Sequence, residues 1–211
     1  AQALYRGWGV EKNLAMAVDG FKHMCRIKHL DSCWRLGLMT EFGEGTEKDL
    51  ARSYVLYKLA CDGGHSSACL AQANSLQAGH GVAADFAGAV VLYQAACSQV
   101  PLACFNLGRM LEEGKGANKD VERAHALYLH GCRNGHGFSC GALAYSVRFT
   151  GAKLPEGATL EGLYEKGCRA GSIPYCRALA GGWQRGQWVK KDDAAATDLF
   201  TQLCEVKRDS L

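Results

Sequence analysis

Proline is scarce in this chain, with three residues in 211. Because its ring interrupts helices, that scarcity suits a mostly helical protein. No apolar run approaches the roughly twenty residues of a membrane helix, so the chain reads as core-forming rather than membrane-spanning. Charge of one sign is lacking too: 24 Lys and Arg stand against 21 Asp and Glu, a net of +3. That balance gives no case for a nucleic-acid groove or an acidic lipid surface. Ser-x-x-Lys, Ser-Asp-Asn and Lys-Thr-Gly are all absent, which removes the motifs of one large class of serine acyl enzymes. The Gly-x-Gly segments follow predicted helices instead of strands, so they are not phosphate-binding loops.

Cysteine is plentiful. Eleven stand at 25, 33, 61, 69, 97, 104, 132, 140, 168, 176 and 204, too many for an ordinary reduced domain, which leaves disulfides or metal. The first member of each pair recurs every 36 residues, or once 35, and a period of that size marks a solenoid of stacked units. Other residues keep the same phase. Phe21, Tyr57, Tyr93, Tyr128, Tyr164 and Phe200 lie four before a first Cys, and Gly43, Gly79, Gly114 and Gly186 ten after a second. In the fourth repeat that glycine arrives one place late, as Gly151. A second glycine follows at Gly9, Gly45, Gly81 and Gly116, but Lys153 and Trp188 replace it in the last two repeats.

Thirty-six residues accommodate two helices and two turns. Apolar residues from Cys104 to Leu111 fall at helical spacing, with a small slot at Gly37, Ala73, Gly108, Ala144 and Ala180 for a close helix approach. Glycine then ends the helix. Asn13, Asp49, Asp85, Asp120 and Asp192 are the expected N-caps of the second helices. Leu154 to Gly157, with Pro155, predicts a late second helix in the fourth repeat. The second helix is expected to end at the first Cys and the next to begin near the second.

A tight turn of this kind sets the two Cys opposite each other, predicting the bridges Cys25–Cys33, Cys61–Cys69, Cys97–Cys104, Cys132–Cys140 and Cys168–Cys176. Zinc is the competing reading, but structural zinc ligands are usually separated by two to four residues, and these pairs would need partners from other repeats.

The pattern Ala103-x3-Leu107-Gly108, the Gly-x-Gly turn, and the spacings Ala89 to Tyr93 and Ala124 to Tyr128 resemble the Sel1-like repeat (SLR) family, relatives of the tetratricopeptide repeats. The resemblance spans residues 1–211 as a single solenoid: an incomplete repeat 1–30, then 31–66, 67–101, 102–137, 138–173 and 174–211. The Cys pair in each turn is similar to that of the cysteine-rich SLR proteins of Helicobacter, secreted or periplasmic, in which each bridge staples one α/α hairpin. A mitochondrial intermembrane-space SLR protein that assists cytochrome oxidase assembly is a weaker relative. The expected fold is therefore an all-α, right-handed α/α superhelix with a disulfide in each hairpin. Ala1 falls midway through a first helix, and Cys204 would find its partner at a position 212. The chain therefore reads as part of something longer, with Cys204 unpaired if it ends at Leu211.

The Helicobacter resemblance implies penicillin binding or β-lactamase activity as an alternative function, yet no catalytic residue can be carried over. His29, His65 and His136 share one slot, too far apart between repeats to hold one ion, and read as solvated turn residues. His125 and His130 do not share a helical face. Glu112 and Glu113 point to different faces, a poor acid/base pair. No metal and no cofactor is expected.

A binding groove is the better expectation. First helices in such superhelices usually line the concave side, and the positions one, five and eight after the second Cys form one stripe. It presents Trp34, Leu38 and Glu41, then Leu70, Asn74 and Gln77, Phe105, Arg109 and Glu112, Gly141, Tyr145 and Arg148, and Arg177, Gly181 and Gln184. Aromatic residues and Arg favour binding hot spots. Leu36, Leu76, Leu107, Leu111, Leu143, Val147, Leu179 and Trp183 form the opposing core stripe. The expected role is a monomeric, non-catalytic scaffold, secreted or periplasmic, holding a peptide or protein partner, without nucleic acid or membrane insertion; an assembly factor of the mitochondrial intermembrane space is the second alternative. Alkylation of the unreduced chain followed by mass measurement is expected to label at most one cysteine, Cys204. Labelling of most of the eleven would overturn the bridged reading.

Overall fold

The structure is a computed structural model. It describes the backbone of residues 1–208 and side chains through Gln202, so the side chain of Cys204 lies outside the described residues. All regular elements among them are helices, and they divide into two compact units, Ala1–Lys119 and a second beginning at Asp120.

The first unit holds α1 (Gln2–Arg6), α2 (Leu14–Arg26), α3 (Leu30–Phe42), α4 (Leu50–Asp62), α5 (Ser66–Ala78), α6 (Phe86–Cys97) and α7 (Pro101–Glu113). The second holds α8 (Val121–Arg133), α9 (Gly137–Thr150), α10 (Leu160–Arg169), α11 (Ile173–Arg185) and α12 (Asp193–Arg208). Within each unit, every helix packs against its neighbours in sequence. The fold is thus a series of antiparallel hairpins.

Disulfides join α2 to α3, α4 to α5, α6 to α7, α8 to α9 and α10 to α11, with Cα–Cα distances between 4.5 and 4.7 Å. A loop this short removes about 2.5 kcal/mol of unfolded-chain entropy per bridge.

The caps follow the sequence closely. Asn13, Asp49, Asp85, Asp120 and Asp192 each accept a hydrogen bond from the backbone N–H three residues on. In the fourth repeat Thr159 takes that role, and α10 is ten residues long against thirteen for α2, α4 and α8. Two of the three prolines stand in the first turns of α7 and α11, where a missing N–H costs nothing.

The first helices start earlier than the cysteine spacing suggests. α3, α5, α7, α9 and α11 begin three residues before the second Cys of their pairs. His29 and His65 are their N-caps: Nδ1 accepts from the N–H of Ser32 at 3.3 Å and of Ala68 at 3.2 Å. His136 holds the same place, with Nδ1 at 2.8 Å from the Ser139 hydroxyl, and burial lowers its pKa. These histidines therefore have a structural task, which corrects their reading as merely solvated turn residues.

Inside the hairpins, Tyr57, Tyr93, Tyr128 and Tyr164 are completely buried. The small slot explains how one of them fits: a Cβ on Gly37 would lie 2.5 Å from the Tyr57 ring. The expected core stripe is buried at Leu36, Leu76, Leu107, Leu111, Leu143, Val147 and Leu179, while Trp183 is half-buried and donates its indole N–H to Glu161 at 2.6 Å. Repeat two breaks the pattern by putting Gln72 in the leucine slot, where its amide nitrogen reaches the Tyr54 hydroxyl at 3.4 Å. In the last hairpin Tyr175 replaces the small Ser32, Ala68, Ala103 and Ser139, and the room comes from Gly141 and Gly167. A Cβ at either would come within 2.8 Å of its ring.

The second glycine of the turn lets repeats meet. At Gly81 (φ +72°) a Cβ would stand 2.2 Å from the Leu50 carbonyl, and Gly45 and Gly116 abut Leu14 and Phe86 in the same way. Trp188, which takes this place in the last repeat, instead folds back onto Gly182, where a Cβ would be 2.3 Å from its ring.

Four of the five hairpin turns place a left-handed residue three past the first Cys, while the shorter third turn has Val100 there at φ −122°. Gly64, Gly135 and Gly171 supply it, whereas the first hairpin uses Lys28 at φ +60°. Lys28→Gly is expected to raise stability by about 1 kcal/mol, relieving a left-handed side chain. Gly81→Ala is expected to lower it by about 2–4 kcal/mol, through backbone strain plus overpacking. Thermal unfolding of the two variants checks both signs.

Candidate binding surface

In the first unit the stripe residues sit on α3, α5 and α7. Trp34 is half-buried, with its ring 5.2 Å from that of His65 and the Arg35 guanidinium 5.4 Å from its centroid. Arg35 is held in turn by Asp31 at 2.7 Å. Leu70 is half-buried, and Asn74 and Arg109 are exposed. Arg109 lies 5.9 Å from the ring of the half-buried Phe105. It also reaches Glu113, 3.7 Å away, whose carboxylate is bound by Lys115 at 2.7 Å. The hydrogen bond from Lys115 lowers the Glu113 pKa.

Residues of successive repeats meet around Tyr93. Its hydroxyl lies 2.7 Å from Asn74 Oδ1 and 2.6 Å from Gln77 Oε1, and Asn106 donates to Asn74 Oδ1 at 3.3 Å. One phenol proton serves one acceptor, so the other amide presents its nitrogen to the phenol oxygen. Tyr57 likewise donates to Glu41. Burial pushes the Tyr93 phenol up to about 12, with Asn106 opposing, and burial together with Glu41 raises that of Tyr57 further.

Sequence reasoning had placed Glu41 and Gln77 on the open stripe. The structure commits both to buried tyrosines. The signal is present: in four repeats a polar residue eight places after the second Cys keeps phase with a tyrosine of the next helix.

In the second unit Tyr145 is exposed and lies 4.5 Å from the exposed Phe149 ring. Arg148 is half-buried and faces both Phe149 and Trp188, at 5.3 and 5.5 Å from their ring centroids. Arg177 stands exposed on α11, and Gly141 is buried beneath Tyr175. Among the described residues no three His, Cys, Asp or Glu gather as metal ligands, and no helix is long and apolar enough to cross a membrane.

A family model described as the Sel1 repeat matches residues 1–19, 30–65, 67–100, 101–136 and 174–205, about three quarters of the chain. The chain belongs to the Sel1 repeat family. The model passes over 137–173, the repeat whose glycine is displaced and whose second helix starts late. Proteins built of Sel1 repeats mediate protein interactions. An SLR-fold protective antigen of uropathogenic Escherichia coli overlays with a TM-score of 0.86 at 25% identity, covering 97% of this chain and 44% of that one. This chain therefore spans less than half of that antigen's length. A Sel1 repeat protein of Oxalobacter formigenes overlays with a TM-score of 0.88 at 23% identity, over 97% of this chain and 84% of that one. No curated protein matches.

The raised phenols give a pH signature. A phenol held neutral in the fold but free to ionise near 10 when unfolded contributes stability that is complete below pH 10. That contribution is lost as pH climbs from about 10 toward 12. Rapid denaturant unfolding after pH jumps is expected to show this decline, with a shallower slope in Tyr93→Phe.

Proposed function

We propose that this Sel1 repeat protein is a non-catalytic scaffold, secreted or periplasmic, whose first-helix faces hold a peptide or protein partner. The observation that carries the reading is the Tyr93 cluster. It fixes the amides of Asn74, Gln77 and Asn106 from a fully buried ring, while Asn74 itself remains exposed beside Arg109. Amides held in this way lose little entropy on binding a peptide backbone, and Arg109 with Phe105 supplies a charged and an aromatic contact. The five bridges support rigidity and point to an oxidising, extracytoplasmic compartment.

The test is capture of a partner from an envelope or secreted fraction, identified by mass spectrometry. The double variant Asn74→Ala, Arg109→Ala is expected to lose the partner at least about tenfold, as for hot-spot residues. Its stability should fall by only about 1 kcal/mol, from the bond to Tyr93. Collapse of the fold, or unchanged capture, would sink the proposal.

A further inference from the structure

The tyrosine hydroxyls of the first unit follow one rule, and the fourth repeat breaks it. In the first unit the residue eight places after the second Cys carries a group able to accept from the next tyrosine hydroxyl: Glu41 at Tyr57 and the amide of Gln77 at Tyr93. In the fourth repeat that place holds Arg148, which can only donate. Tyr164 is completely buried, and its hydroxyl has no acceptor to donate to. Trp188, in the turn after α11, packs on it with ring centroids 5.0 Å apart. The Trp188 indole nitrogen is also buried without a partner. Arg148 lies over the same indole, and close enough to the Tyr164 hydroxyl to oppose the upward shift that burial imposes on it.

Three donor groups thus gather here with the phenol oxygen, which faces Arg148, as the one acceptor among them, so the phenol O–H and the indole N–H are left without one. Leaving a buried donor unmade costs about 1–3 kcal/mol, so two together mark a place where an acceptor belongs. The two carboxylates on α10, the helix of Tyr164, are engaged elsewhere: Glu161 receives the Trp183 indole and Glu165 pairs with Arg169. Among the described residues none forms an ion pair with Arg148.

We propose that Arg148, the Tyr164 hydroxyl and the Trp188 indole N–H bind a carboxylate of a peptide partner. Arg148 takes the carboxylate first, because it is the half-buried member and a guanidinium matches two carboxylate oxygens. Trp188, on irregular backbone, turns outward far enough for its N–H and the phenol to complete the ligation. The exposed rings of Tyr145 and Phe149 beside Arg148 give an apolar footing to the residue that carries the charge. The inference rests on the scaffold reading and names the group that the second unit recognises.

The test follows the Trp188 indole N–H by NMR in the full chain, the signal being assigned as the one missing from Trp188→Phe. N-acetylphenylalanine offers a terminal carboxylate, N-acetylglutamic acid α-amide a side-chain carboxylate, and N-acetylphenylalanine amide none. A saturable shift with either acid, absent with the amide, supports the site, and the acid that binds more tightly identifies the source. Arg148→Gln is expected to weaken binding at least about tenfold. Arg148→Glu should abolish it while raising Tm, because Tyr164 then regains the acceptor that Tyr57 has. No shift with either acid, or an equal shift with the amide, overturns the site. Should such a chain still capture its partner through Asn74 and Arg109, the carboxylate site alone has failed and the scaffold reading stands.

Discussion

Two short helices and a turn bury too little surface to hold a fixed angle unaided, since small folds are poor in core for their area. In this Sel1 repeat protein the hairpin turn is closed covalently, with α-carbons 4.5–4.7 Å apart across each pair. The staple fixes the entry of the first helix, and with it the spacing at which the two helices of a hairpin meet. Across the unbridged Gly-x-Gly turn the next helix brings a tyrosine ring against the small slot, as Tyr57 of α4 does against Gly37 of α3. Everything polar at the hairpin's open side then depends on where the ring delivers its hydroxyl.

That delivery couples core to surface. A buried phenol needs a partner, and the partner stands on the stripe that would contact a ligand. Tyr93 therefore does two things at once: its ring fills the interior, and its oxygen orders Asn74 and Gln77. Where the partner changes sign, as at Arg148, the phenol is left wanting an acceptor and the surface acquires a positive group with donors behind it. One register thus yields chemically different faces from repeat to repeat without altering the backbone.

Much of this was legible in the sequence because cysteine, tyrosine, glycine and aspartate each answer a steric or capping demand that recurs at a fixed interval. The late start of α10 could be read from Pro155 and the displaced Gly151. The N-capping histidines could not. Histidine is not a usual cap, and the capping nitrogen is chosen by a helix start three residues before the second Cys. Nor could the exchange of bulk between Tyr175 and the pair Gly141 and Gly167, since it joins residues 34 and 8 positions apart on different helices. The stripe follows from helical spacing, but spacing alone does not reveal that Glu41 and Gln77 are claimed by the interior. That Trp188 covers its own helix instead of touching its predecessor is visible only in three dimensions.

The cross-links also bear on how the molecule comes into being. Each bridged sulfur finds its mate seven or eight residues along the chain, so closure needs nothing that emerges later. A nascent strand threading into an oxidising space can lock one segment while the following one is still being extruded. Mispairing between distant thiols has little time to occur, and maturation proceeds in the order of synthesis.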